Sequence, residues 1–190
     1  MTVFGIDPSF TATGVSDGTE HVIIAAPKAD EGEERAHATM RRADVLATTI
    51  AAWISGRIGR GAEAAAFVEA PMLSSTAGAG HLYELGWLMA MLYFRLSRAG
   101  VAPIVEVETA KLRKMIGLAG NAPKTLIPLT VYKRFGVEFD RDPGADKAFA
   151  YLLHRYGLAV AAGEIGHVAA PPRGQGTKAR GSVRKTARAR

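Results

Sequence analysis

Three acidic positions in this chain stand where chemistry can be done. Asp7 follows the apolar run Val3-Phe4-Gly5-Ile6, precedes Pro8, and is the only charged side chain in the first sixteen residues. Glu69 closes a second apolar run, "AAAFVEAP", and Asp140, Asp142 and Asp146 precede or open the last helical stretch. A carboxylate at the end of a core strand is costly unless a hydrogen bond or a cation offsets it. Acids from strand ends and a helix start can converge above one sheet edge, and such a cluster is tolerable only if protonated or neutralised by cations. With oxygen donors alone, no cysteine and no histidine pair at helical spacing, the donor set favours Mg²⁺ or Mn²⁺ over zinc. Two such ions about 4 Å apart can activate water and stabilise the leaving oxygen in phosphodiester hydrolysis. Each acid also has a plainer reading: Asp7 as a turn-former, Glu69 as a solvated strand end, Asp142 as a helix cap, Asp146 as a favourable charge at a helix N-terminus.

The elements that must position these acids are legible from periodicity. After the first strand, "TATGVSD" (11–17) and "EHVIIAAP" (20–27) read as two more strands, punctuated by Gly14 and the Asp17-Gly18 turn, in an antiparallel meander. A helix is expected from about Glu33 to Ile58, with Val45, Leu46, Ile50, Trp53 and Ile54 at helical spacing. "AAAFVEAP" is a buried strand, followed by the small-residue loop "MLSSTAGAG" and a helix from about His81 to Arg98. That helix is apolar nearly all round, so it is either fully buried or has one face on the sheet and one on another subunit. A fifth strand, "APIVEVE" (102–108), leads into the helix "TAKLRKMIG"; helices from about Lys124 to Phe135 and Ala145 to Ala161 follow. The pattern predicts an α/β protein with a mixed five-stranded sheet and helices on its faces.

Composition sets outer limits. The chain has 190 residues and 48% hydrophobic content, enough for one domain, expected over 1–165. Without cysteine there are no disulfides, thiolate metal sites or cysteine nucleophiles. No secretory signal is visible, and the longest apolar run, Leu85 to Phe94, falls short of the ~20 residues that span a bilayer. A cytoplasmic protein with no membrane partner is expected, in the host cytoplasm if phage-encoded. The net charge is +6, but residues 171–190 hold five Arg, two Lys and no acid. The segment 166–190 therefore reads as a basic disordered tail. It is either a solubilising tail or an arm tracking phosphates through Arg173, Lys178, Arg180, Arg184 and Lys185.

In order, "FGIDPSFTATG", "FVEAP", the apolar helix, "KLRKMIGLAGNAPK" and "DPGADKAFAYLL" resemble the RuvC family of Holliday-junction resolvases, especially its bacteriophage branch, over most of residues 3–160. The resemblance implies an RNase H-like fold, a homodimer formed through the helix around 81–98, and Mg²⁺-dependent paired nicking of four-way DNA junctions. Mn²⁺ would substitute and two ions would bind per site; a departure from the family's pattern at Met72 would loosen junction selectivity, so that other branched DNA such as forks and flaps is also cut. It assigns Asp7, Glu69 and Asp146 as metal-binding catalytic acids. The family's further acid falls at Pro143 here, so Asp142 is the nearest substitute, with Asp140 behind it. Lys124 falls at a basic residue facing DNA phosphate, and Lys111 and Lys114 compete for another such position. Met72 occupies the place of an aromatic wedge near the junction centre; an apolar side chain there can enter between base steps.

Two competing functions are set against this one. The opening strand-Asp-turn-Thr-Gly also resembles the first phosphate loop of actin-like ATP phosphotransferases, but those need two lobes and usually more than ~300 residues. The Walker loop is absent too, since Lys124 follows proline rather than glycine. A non-catalytic junction-binding protein of the same fold is the second alternative; loss of an acid at 7, 69 or 146 would mark it, and all three are present.

Overall fold

Successive side chains of a strand point to opposite faces of the sheet, which decides which residues face which layer. In the computed structural model, which describes residues 1–71 and 79–166, five strands form one sheet: β1 (Thr2–Asp7), β2 (Ala12–Ser16), β3 (His21–Ala25), β4 (Ala64–Glu69) and β5 (Val101–Val107). Their order is β3-β2-β1-β4-β5. The β1-β2-β3 meander is antiparallel, while β4 and β5 run parallel to β1. Helices α1 (Arg35–Ser55), α2 (Ala79–Arg98), α3 (Thr109–Met115), α4 (Ile127–Phe135) and α5 (Asp146–Ala161) cover both faces. The mixed five-stranded α/β sheet expected from the sequence is therefore present.

On one face, Phe4 and Ile6 of β1 and Ala64, Ala66 and Val68 of β4 pack under α1 and α2. The opposite residues, Val3 of β1 and Ala65 and Phe67 of β4, pack against α5 with α3 and α4. Period-two alternation thus divides the core into two layers. Helix α1 buries Leu46, Ile50 and Ile54 in a stripe, with Ala43, Ala47 and Ala51 beside them. Val45, expected in that stripe, lies 100° round the helix from Leu46 and is 42% exposed. Trp53 sits at the stripe's edge, edge-on to Phe4, with the Arg57 guanidinium 3.6 Å over its ring.

Helix α5 lies closest to the sheet. A Cβ on Gly5 would stand 1.9 Å from the carbonyl oxygen of Ala150, so β1 must have glycine where α5 crosses it. Beside that crossing, His154 of α5 is buried and its Nδ1 donates to the carbonyl of Val3 at 2.9 Å. Burial lowers the His154 pKa, against the hydrogen bond to Val3, and burial likewise lowers that of His21, which bonds Ser16 Oγ at 2.8 Å. Both imidazoles bind a proton less readily folded than unfolded. Stability is then full above the ordinary value of 6.5 and declines as pH falls below it, until the folded groups also titrate. Because the raised Asp7 pKa acts in the opposite sense, the test is the difference: from about pH 7.5 down to about pH 5 the urea midpoint of the His21→Gln/His154→Gln variant should fall less than that of wild type; parallel profiles would contradict this.

Candidate active site

The same alternation that builds the core brings the two strand-end acids together. Val3, Gly5 and Asp7 share one face of β1, and Ala65, Phe67 and Glu69 share the same face of β4. In register, Ile6 stands beside Val68, so Asp7 and Glu69 are neighbours at the carboxyl ends of adjacent parallel strands. Asp7 is 3% exposed, and its carboxyl lies close enough to that of Glu69 to hydrogen-bond it. Asp146 arrives from the first turn of α5. Between them sits the ammonium of Lys124, 2.6 Å from Asp7 Oδ2 and 2.8 Å from Asp146 Oδ1. Lys124 opens a 3-10 turn, Lys124–Leu126, after a loop held by the Arg113 Nη1 bond to the Gly120 carbonyl at 2.9 Å.

Two residues that sequence reasoning did not single out as site residues complete the arrangement. Thr109, buried at the start of α3, donates from Oγ1 to Glu69 Oε1 at 2.5 Å and fixes that carboxylate. Its signal is positional only: α3 begins two residues after Val107, which pairs with Glu69. Gly14, paired with Asp7 across β1-β2, is the second. A Cβ there would lie 2.2 Å from the carbonyl oxygen of Asp146 and 3.2 Å from its Cβ. The glycine is what lets the start of α5 approach β2, and Asp146 with it.

Asp142 is placed differently from the other acids. Its two oxygens accept the backbone N–H groups of Lys147 and Ala148, each at 3.0 Å, so it caps α5 from the preceding loop. Asp140 is nearly fully exposed, with its backbone carbonyl accepting from Lys147 Nζ at 2.7 Å. The structure thus bridges Asp7 and Asp146 through Lys124, sets Glu69 beside Asp7, and leaves Asp142 and Asp140 outside. Lys111 and Lys114 lie on α3, further along the helix than Thr109. Met72 and the tail residues Arg173, Lys178, Arg180, Arg184 and Lys185 fall outside the described residues.

Electrostatics explain why a cation belongs here. Burial, the hydrogen bond with Glu69 and the Glu69 charge together hold the Asp7 pKa well above the carboxylate range, and Lys124 opposes them. Burial would lower the Lys124 pKa, but Asp7 and Asp146 more than reverse this and hold its proton tightly. The ammonium is thus a built-in counter-cation. Among the described residues no three acidic or imidazole side chains are gathered as ready-made metal ligands. The donor set still fits a hard divalent cation, because it is all oxygen, crowded, and already bridged by one positive charge; such an ion requires Lys124 to withdraw. Replacing Lys124 with methionine should destabilise the metal-free protein by about 2 kcal/mol, since it strands a buried carboxyl while the lysine itself was partly solvated. Thermal melts with and without millimolar Mg²⁺ should show the ion raising the melting temperature more for this variant than for wild type.

Helix α2 buries Leu85, Leu88, Met89, Leu92 and Leu96, but it is not buried all round. Its outer side leaves Tyr83 47% and Phe94 56% exposed, and Tyr83, Gly86, Trp87 and Ala90 line an open apolar cleft. No described helix is long and apolar enough to cross a membrane.

A mixed β3-β2-β1-β4-β5 sheet with helices on both faces is an RNase H-like fold. Within it, the chain has the fold of RuvC. It is similar to a structure of RuvC from Thermus thermophilus, with 21% identity, a TM-score of 0.56, and coverage of 85% of this chain and 97% of that one. It is similar also to T. thermophilus RuvC in complex with a Holliday-junction substrate, with 18% identity, a TM-score of 0.57, and coverage of 84% and 96%. No protein-family profile matches the sequence, and neither does any curated protein.

Proposed function

We propose that this protein is a metal-dependent, structure-specific DNA endonuclease that resolves four-way junctions, and other branched DNA, by paired nicks. The observation that carries the reading is the Lys124 ammonium bridging Asp7 and Asp146 at the sheet edge, with Glu69 beside Asp7 on the adjacent strand. These three residues would hold two divalent ions. Such ions supply an activated water and stabilise the departing 3′ oxygen, which leaves a 5′-phosphate and a 3′-hydroxyl. Thr109 fixes one Glu69 oxygen, Pro8 and the following turn hold the end of β1, and the N-terminus of α5 favours the negative charge of Asp146. Lys124, once released, is placed to meet a substrate phosphate. Two copies joined through the apolar outer side of α2 would set two sites on opposing strands, matching the two-fold symmetry of a junction.

One observation favours a second reading, a junction-binding protein without catalysis: an ammonium bridging two of the acids neutralises the cluster without any ion. A divalent-ion titration with a labelled four-way junction, fork and flap separates the two. Mg²⁺-dependent nicks at symmetric positions, from a preparation that sediments as two chains, support the nuclease. Binding without product supports the second reading, and Mg²⁺-dependent ATP hydrolysis instead would overturn both.

A further inference from the structure

The loop between α4 and α5, residues 136–145, is tied down along its length. The ring of Phe139 lies 5.1 Å from that of His21 on β3 and 5.9 Å from that of Tyr151 on α5, and those two rings stand 5.2 Å apart. These are the separations of attractive aromatic pairs, and they pin the loop to the edge strand of the sheet. His21 is itself oriented by its 2.8 Å bond to Ser16 Oγ. Further on, Asp142 turns both carboxyl oxygens to the N–H groups of Lys147 and Ala148, and its backbone carbonyl accepts the N–H of Ala145 at 3.1 Å. Lys147 Nζ adds a bond to the Asp140 carbonyl. Arg141 and Ala145 hold left-handed backbone angles, which residues other than glycine keep only where their surroundings impose them. We infer that this loop is a strut for Asp146, anchored by Phe139, and that Asp142 is a positioning residue for that acid and not a ligand of the metal; this rests on the nuclease reading above.

Three observations give Asp142 this role. The first is its side of the site: its charge is felt at His21 on the outer strand β3, whereas the acids acting on Lys124 are Asp7 and Asp146. The second is a division of labour at the helix start. The first N–H groups of a helix have no intrahelical partner, and Ala145, in the capping position, has no side-chain acceptor to offer them. Aspartate readily bonds backbone N–H groups close to it in sequence, so Asp146 left alone would fold back onto those of α5. With Asp142 already on them, Asp146 Oδ1 stays available to Lys124 at 2.8 Å, and to an ion in its place. The third is contact. A Cβ on Gly144 would stand 2.7 Å from Asp146 Oδ2, so the strut passes directly against the carboxylate that it holds.

The test follows Mn²⁺ binding to the full chain by calorimetry without DNA, and single-turnover nicking of a four-way junction. Asparagine caps a helix about as well as aspartate but brings no charge to an ion, so Asp142→Asn should keep the wild-type Mn²⁺ affinity and nick within about threefold of the wild-type rate. Asp142→Ala and Phe139→Ala should each weaken Mn²⁺ binding and slow nicking by about 10- to 100-fold, the effect of removing the support of a metal ligand. Phe139→Tyr, which keeps the ring, should recover the rate. Junction binding in EDTA should be the same for all, with cooperative melting; a folding defect would lower it along with the rate. If Asp142→Asn binds Mn²⁺ as poorly as Asp142→Ala, Asp142 is a ligand and the strut is overturned, while the nuclease reading stands as long as the wild type nicks. Wild-type ion binding and nicking in Asp142→Ala and Phe139→Ala overturn it as well. If Mn²⁺ affinity follows the expected order but the wild type nicks no branched DNA, the strut is supported and the nuclease reading falls. A wild type that neither binds Mn²⁺ nor nicks overturns both.

Discussion

Asp7→Asn is expected to reduce junction nicking by more than about a hundredfold, beyond the 10- to 100-fold typical of changes to groups that merely support a metal ligand. Asparagine matches aspartate in shape, so the packing around a residue that is 3% exposed is kept. What disappears is the charge that a divalent ion needs, together with the anion that holds Lys124 at 2.6 Å. Junction binding should be preserved or tightened, because a negative charge facing substrate phosphate has been removed. Single-turnover nicking at saturating protein, with binding measured separately, distinguishes these effects. Glu69→Gln should behave in the same way. A near wild-type rate from either variant would remove that acid from the site.

Gly14→Ala should be nearly as damaging to activity, although it removes no functional group. The added methyl would stand 2.2 Å from the Asp146 carbonyl oxygen and 2.6 Å from its carbonyl carbon, both backbone atoms of α5. Either the helix start or β2 must move, at a cost of about 1–3 kcal/mol in stability. The movement carries Asp146 away from Asp7 and Lys124, and a shift of about 1 Å in reacting geometry can cost about a hundredfold in rate. A fall in nicking far larger than the fall in DNA binding, in a variant that still melts cooperatively, is the expected pattern. Equal falls in both would mean that Gly14 serves folding alone.

Much of this molecule is written locally. Unbroken apolar runs at 3–6 and 64–68 specify the two central strands, and the residues that close them, Asp7 and Glu69, are visible as charges that a core strand would not otherwise carry. Leu46, Ile50 and Ile54 mark α1, and the order of motifs points to the RuvC fold. Less legible were choices between local alternatives. Asp142 has the same charge as Asp146 four residues away, yet one caps α5 and the other joins the site. The difference is a loop in which Arg141 and Ala145 adopt left-handed backbone angles, φ 51° and 59°, which no residue type there advertises. Helix α2 is apolar on nearly every side, and only its packing against α1 and β5 shows which residues remain outside.

The sequence by itself determined the strands, the helices, their order, and the presence of acids where strands end, because these follow from short-range periodicity and the cost of burying charge. Tertiary structure alone decided that Lys124 lies between Asp7 and Asp146, 117 and 22 residues away, that Thr109 holds Glu69, and that Gly14 makes room for α5. These are contacts between segments far apart in the chain. Their geometry depends on sheet register and on how closely α5 settles onto the sheet, quantities that no local pattern encodes.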